Sequence, residues 1–246
     1  MKLLRLFSPG ILAVLVLFSC NSGGNEQTAT TTTDSTSKDT TAVQKMPEMP
    51  APVRMTMLIK HKVRNFDKWM PGYEAHDSVR QAFGLHNFVV GRELHDSNMV
   101  MVALFMDDTA KAKQFAMLPD LKEAMQKAGV VGMPTFSYGK NVWHDNATDS
   151  STTRVIVTHK VKDYAVWKKV FDDHKQARLD AGIIDRSINR AIDDSNMVTA
   201  VFAISDMKKA EAFMNSKDLK ERMDEGGVIG KPDVFMYHVV KQYPQQ

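Results

Sequence analysis

Hydrophobic positions alternate along Met57, Ile59, His61 and Val63, with Lys60 and Lys62 on the opposite face. A period of two predicts a strand with one buried side. Val155, Val157, His159 and Val161 repeat the pattern. The period then changes. Phe66, Trp69, Tyr73, His76, Arg80 and Phe83 are spaced at threes and fours, which predicts a helix over residues 67–83 with one continuous stripe. Tyr164, Trp167, Phe171, His174 and Arg178 give the same stripe again, and Gly84 and Gly182 suit the helix stop. Two strands follow, joined by the polar turn Asp96-Ser97-Asn98. The second of these, residues 99–106, is apolar on both faces, as a central strand should be. Asp107 or Asp108 can cap a second helix, interrupted near Pro119 and ending at Gly129. Residues 134–142 supply a fourth strand.

The whole pattern recurs 98 residues later without a gap. His61-Lys62-Val63, Trp69, His76, Arg80 and Gly84 fall on His159-Lys160-Val161, Trp167, His174, Arg178 and Gly182. Arg92 falls on Arg190, and Asp96-Ser97-Asn98-Met99-Val100 on Asp194-Ser195-Asn196-Met197-Val198. Identity of about 30% over about 85 residues marks a duplicated unit. The expected boundaries are 54–144 for the first repeat, 145–153 for a polar linker and 154–243 for the second. Each repeat reads strand, helix, strand, strand, helix, strand, a ferredoxin-like βαββαβ unit. Its sheet carries helices on one face and needs a partner for the other, and a second unit in the same chain provides one.

Charge and composition narrow the partners. The formal charge of +3 falls to +1 once Lys2 and Arg5 are set aside, and no basic stripe marks a nucleic-acid surface. Most of the 17 methionines sit at core-periodic positions such as Met99, Met101, Met125, Met197 and Met223, and read as adaptable packing. The single cysteine is Cys20, so no disulfide can staple this chain internally. Residues 1–19 have a basic start and an apolar run, the layout of a secretory signal too short to span a membrane. Leu17-Phe18-Ser19-Cys20 resembles the bacterial lipobox, with Phe18 departing from the small or branched residue usual there. That resemblance implies lipidation at Cys20 and a protein anchored in the bacterial cell envelope, with the outer membrane the expected site. Residues 20–53 are Thr- and Pro-rich without periodicity, a tether of roughly 30 Å as a coil.

Residues 55–243 as a whole resemble the dimeric α+β barrel superfamily in a fused, single-chain form. The fold class expected is therefore α+β, with two tandem ferredoxin-like repeats forming an intramolecular dimeric α+β barrel. The superfamily includes antibiotic-biosynthesis-monooxygenase-like proteins and some haem-binding enzymes. The resemblance is architectural and rests on no motif diagnostic of one enzymatic family.

Candidate chemistry lies where polar groups interrupt apolar faces. His61, His76 and Arg80 would meet between helix and sheet, as would His159, His174 and Arg178. Arg92 and Arg190 could join from the second strand of each repeat, sharing parity with Phe88, Val90 and Leu94 in the first. Trp69, Tyr73, Trp167 and Phe171 would supply aromatic walls. A buried arginine needs an anionic partner, which can be a protein carboxylate, a bound anion or a ligand. A structural network and a site for a small, partly aromatic or anionic ligand both satisfy the pattern. The superfamily resemblance adds a third reading, a cofactor-independent monooxygenase or isomerase in which His61 or His76 acts as base and Arg80 or Arg178 steadies the developing anion. A fourth is a non-catalytic envelope interaction module, its protein partner unnamed by the sequence. No metal site is expected, because two histidines per repeat come without HxxxH or HExxH spacing. No cofactor is expected, with haem as the alternative, since one axial histidine and propionate-binding arginines are present in the set. The second repeat is the cleaner candidate, because Pro71-Gly72 in the first helix becomes Lys169-Val170.

Overall fold

A computed structural model describes residues 54–145 and 150–244. The expected leader (1–19), Cys20 with its tether (20–53) and residues 146–149 of the expected linker lie outside the described residues. The alternating segment is strand β1 (Met55–Val63), and Met57, Ile59, His61 and Val63 are all buried. Its counterpart is β5 (Thr153–Val161). β2 (Leu85–Glu93) and β3 (Met99–Met106) form the hairpin around the Asp96 turn, repeated by β6 (Ile183–Ala191) and β7 (Met197–Ile204). Asp96 Oδ1 accepts the Asn98 N–H at 3.0 Å, and Lys62 pairs with Asp96 at 2.8 Å. Asp194, Asn196 and Lys160 repeat both contacts.

The helix expected over residues 67–83 is two helices, α1 (Phe66–Ala75) and α2 (Asp77–Ala82), broken at His76. The second repeat breaks at the equivalent His174, between α5 (Tyr164–Asp173) and α6 (Lys175–Asp180). Pro71 is not the cause, because the second repeat carries Lys169 there and breaks at the same place. A cap fixes both starts: Asn65 Oδ1 accepts from Lys68 N and Asp163 Oδ1 from Val166 N, each at 2.9 Å. The second helix of each repeat is likewise paired, α3 (Thr109–Ala116) with α4 (Pro119–Lys127), and α7 (Met207–Met214) with α8 (Lys217–Glu225). Asp108 is the cap of α3, and Pro119 opens α4, where a missing N–H costs nothing.

The last strands, β4 (Val130–His144) and β8 (Val228–Gln242), are longer than the 134–142 span read from the sequence. The pairing of β1 with β4 shifts register between Lys60 and Lys62, so residues 132–134 bulge out of the ladder. Gly132, at φ +72°, makes the turn, and Pro134 sits where no ladder N–H is required. The bulge stands opposite His61. β8 repeats it opposite His159, with Gly230 at φ +73°.

Each repeat orders its strands fourth, first, third, second. The two sheets then join at β2–β8 and β4–β6 into one closed barrel, β1-β3-β2-β8-β5-β7-β6-β4. Closure removes the unpaired edges that an open four-stranded sheet would carry. At one seam Gly91 is required: a Cβ there would lie 2.2 Å from the Tyr237 ring. Each repeat has a core between its helices and its outer sheet face, built on Met57, Trp69, Leu104 and Phe115 in the first and Val155, Ile183, Ala200 and Phe202 in the second. A separate core fills the barrel, with Val89, Met101, Ile156, Phe235 and Tyr237. β3 faces both cores, which explains its unbroken apolar run.

Candidate functional site

Between α5, α6, α7, α8 and the sheet of the second repeat lies a cavity of about 110 Å³. His159, Trp167, Phe171, His174 and Arg178 all line it. The first repeat has a cavity of about 50 Å³ at the corresponding place, lined by His61, Trp69, Tyr73, His76 and Arg80. The structure thus brings ten of the predicted residues together in two equivalent sets of five.

Within each set the polar groups differ in state. Arg178 is buried and fully engaged. Its Nε and Nη2 donate to Asp185 Oδ1 and Oδ2 at 2.7 and 2.8 Å, and Nη1 donates to the Phe171 carbonyl at 2.7 Å. The guanidinium stacks 3.7 Å above the Phe171 ring. Arg80 lies 3.9 Å over Tyr73, donates from Nε to Asn87 Oδ1 at 3.1 Å and meets Asp77 at 3.3 Å. The charge has moved between repeats: Asp77 and Asn87 in the first stand where Lys175 and Asp185 stand in the second. Protein carboxylates therefore neutralise both arginines. Of the three partners the sequence allows for a buried arginine, the structure supplies the protein carboxylate at both Arg80 and Arg178.

His174 Nε2 donates to Asp218 Oδ2 at 2.6 Å, and its ring lies 5.4 Å from Phe213. His76 has moved further into solvent; burial and the nearby Arg80 charge lower its pKa, opposed by Asp120. His159 and His61 are different again. They are only 8% and 5% exposed, and neither ring nitrogen of either residue has a hydrogen-bond partner. Each imidazole packs on a tryptophan, His61 with Trp69 at 5.2 Å and His159 with Trp167 at 5.5 Å. Burial pushes both pKa values down to about 4, so both rings are neutral at pH 7. A base that weak is a poor proton acceptor at neutral pH, which argues against His61 in the role of catalytic base.

Arg92 and Arg190 do not reach the cavities. Each lies at its hairpin turn, donating from Nε to the Ser97 or Ser195 carbonyl at 2.6 Å. Each covers an aromatic ring, Phe66 at 4.3 Å and Tyr164 at 4.0 Å. Arg92 does share the helix-facing side with Val90, pairing with Val100 as Val90 pairs with Val102. It sits at the end of the strand, over Phe66 and short of the cavity, and Arg190 repeats this over Tyr164. The parity expected for Phe88 is what changes, because β2 bulges between Asn87 and Val89. Phe88 and Val89 therefore both pack with the barrel core, while Leu85 and Val90 face the helices.

Sequence reasoning missed Asp185, Asn87 and Asp218. A signal for the first existed, an acidic residue seven positions after Arg178 directly following the apolar pair Ile183-Ile184. Asp218 offered only its repetition, as the counterpart of Asp120 in the first repeat.

The same fold recurs among solved structures. An anthrone oxidase-like protein superposes with a TM-score of 0.52 at 13% identity, covering 78% of this chain and 96% of its own. A candidate chlorite dismutase gives 0.52 at 12%, covering 77% and 95%. A candidate monooxygenase from Fusobacterium nucleatum gives 0.50 at 10%, covering 79% and 99%. The fold is the dimeric α+β barrel. Here the two halves of the barrel are tandem repeats of one chain. At these identities the likeness is one of fold. The chain matches no protein-family model and no curated protein sequence.

Haem does not fit either of these two cavities among the described residues. The larger is well below the roughly 300–1,000 Å³ of ordinary small-molecule pockets. The arginine that would hold a propionate there is already bound to Asp185.

Proposed function

We propose that this protein binds a small, neutral, largely apolar molecule between helices and sheet, with one hydrogen bond to a buried imidazole. The observation that carries this reading is His159. An unpartnered imidazole in an apolar enclosure costs the folded state about 1–3 kcal/mol in lost hydrogen bonding. A neutral ring offers one N–H donor and one acceptor nitrogen, so a ligand with a hydroxyl or similar group would recover that cost. The surrounding Trp167, Phe171, Phe202 and Phe213 suit a flat, apolar ligand body. Thermal melts in phenol, benzene and benzoate test the reading. Phenol should raise the melting temperature most, benzene less and benzoate least; benzoate outranking phenol would contradict it.

A catalytic reading is favoured by one further contact. The His174–Asp218 pair puts a carboxylate-oriented imidazole on the wall of the same cavity. With Nε2 donating to Asp218, Nδ1 is the nitrogen left to accept a proton from a bound substrate. In this version His174 is the base and the neutral His159 orients the ligand. Such an activity accords with two of the structural neighbours, a candidate monooxygenase and an anthrone oxidase-like protein. If it holds, Asp218→Asn should lower turnover while leaving ligand affinity within about twofold.

The cell-envelope setting is part of the proposal and rests on the sequence of residues 1–53. Cells given a labelled fatty acid should incorporate it into the wild-type protein and not into Cys20→Ala. Label retained by that variant would remove the lipid anchor from the account.

A further inference from the structure

The two cavities are built from equivalent positions, yet one is about twice the size of the other. The sequence explains the difference. On the sheet, Ile59 of the first repeat corresponds to Val157, and Val102 to Ala200. These exchanges remove three carbons from the floor of the second cavity. On the helix, Tyr73 becomes Phe171. This deletes the hydroxyl that in the first repeat reaches across to Asn87 at 2.6 Å. Nearby, size is traded rather than lost: Gly72 faces Ala128 in the first repeat, and Val170 stands in the Gly72 position with Gly226 in that of Ala128. The helix contact is thereby kept at similar bulk, while the floor loses size at Val157, Ala200 and Val155 (Met57 in the first repeat) against one gain, Phe202 for Leu104.

We infer that the repeats have diverged into one open and one closed version of the same site, with Val157 and Ala200 setting the size limit, and that the ligand is a single-ring hydroxyl compound of the phenol class. The inference rests on the binding reading above. An enclosure near 150 Å³ takes a benzene ring, whereas a space near 50 Å³ holds no more than a water or two. The second cavity, at about 110 Å³ with the exposed Arg222 at its rim, has room for one ring and not for two fused rings. His159 supplies the hydrogen-bonding partner for the hydroxyl. In the first repeat His61 is equally unpartnered, but Ile59 and Val102 occupy the space a ring would need.

Isothermal titration of the full chain with phenol tests this. The wild-type protein should take one phenol per chain. Ala200→Val combined with Val157→Ile should weaken that binding at least tenfold. The reciprocal pair, Val102→Ala with Ile59→Val, should raise the count to two, and 1-naphthol should bind none of these proteins. Two phenols per wild-type chain, tight binding of 1-naphthol, or unchanged affinity in a folded Ala200→Val/Val157→Ile variant would overturn the inference while leaving the binding reading intact. No binding of phenol by the wild-type protein would remove both. Should the filled variant fail to fold, the reciprocal pair decides, because a count that stays at one contradicts the role of Ile59 and Val102.

Discussion

Asp185 shows how one carboxylate decides what a buried arginine can do. Both members of its pair with Arg178 are under a tenth exposed, so removing one leaves a charge stranded in the core. Asp185→Ala should cost about 3–5 kcal/mol in urea unfolding. The first repeat suggests the remedy. Asp185→Asn with Lys175→Asp recreates the Asn87 and Asp77 arrangement, and should recover most of the loss. The histidines give a second expectation. His61 and His159 stay neutral in the folded state down to about pH 4, while in the unfolded chain they take up protons near pH 6.5. Between those values the unfolded state binds more protons, so stability falls as the pH is lowered through that window. The loss is on the order of 3 kcal/mol per histidine across the whole interval. His159→Leu should flatten roughly half of that slope, and a slope unchanged by the substitution would place its cause elsewhere.

At the scale of elements, most of the order was legible because periodicity reports burial directly. β1, β3 and the capped start of α3 follow from alternation, a two-sided apolar run, and Asp108 at the cap, whereas the Asn65 cap of α1 was not read. What escaped was any feature that breaks a period without changing residue type. The helix break at His76 and His174 leaves the apolar stripe continuous, so the pattern alone reads as one helix. The bulge in β2 reverses side-chain parity midway and so misplaced Phe88, while Arg92 and Arg190 keep the expected side but lie at strand ends, beyond the cavities. Closure at the seams was equally silent. Gly91 has no signature in a single sequence, yet the Tyr237 ring occupies the space of its missing side chain. Gly91→Ala should cost about 1–3 kcal/mol as an overpacked contact. Chemical denaturation would show it, and a neutral result would mean that the β2–β8 seam can give way.

For the whole molecule, the repeat made the architecture readable: a sheet with helices on one face needs a partner, and the chain carries two such sheets. The eight strands close on each other, and the outer cavities belong to the individual repeats rather than to the seams. That placement allows each half to change its cavity independently while sharing one barrel core. It also separates the site from the charge pattern that first drew attention to it. The arginines are structural, held by Asp185, Asn87 and Asp77, whereas His159 remains without a partner. The most direct measurement is therefore a nitrogen-15 spectrum of the histidine rings during a phenol titration of the full chain. The account predicts a saturable shift of the His159 ring nitrogens with His61 unmoved. Silence at His159 while other histidines respond would contradict it.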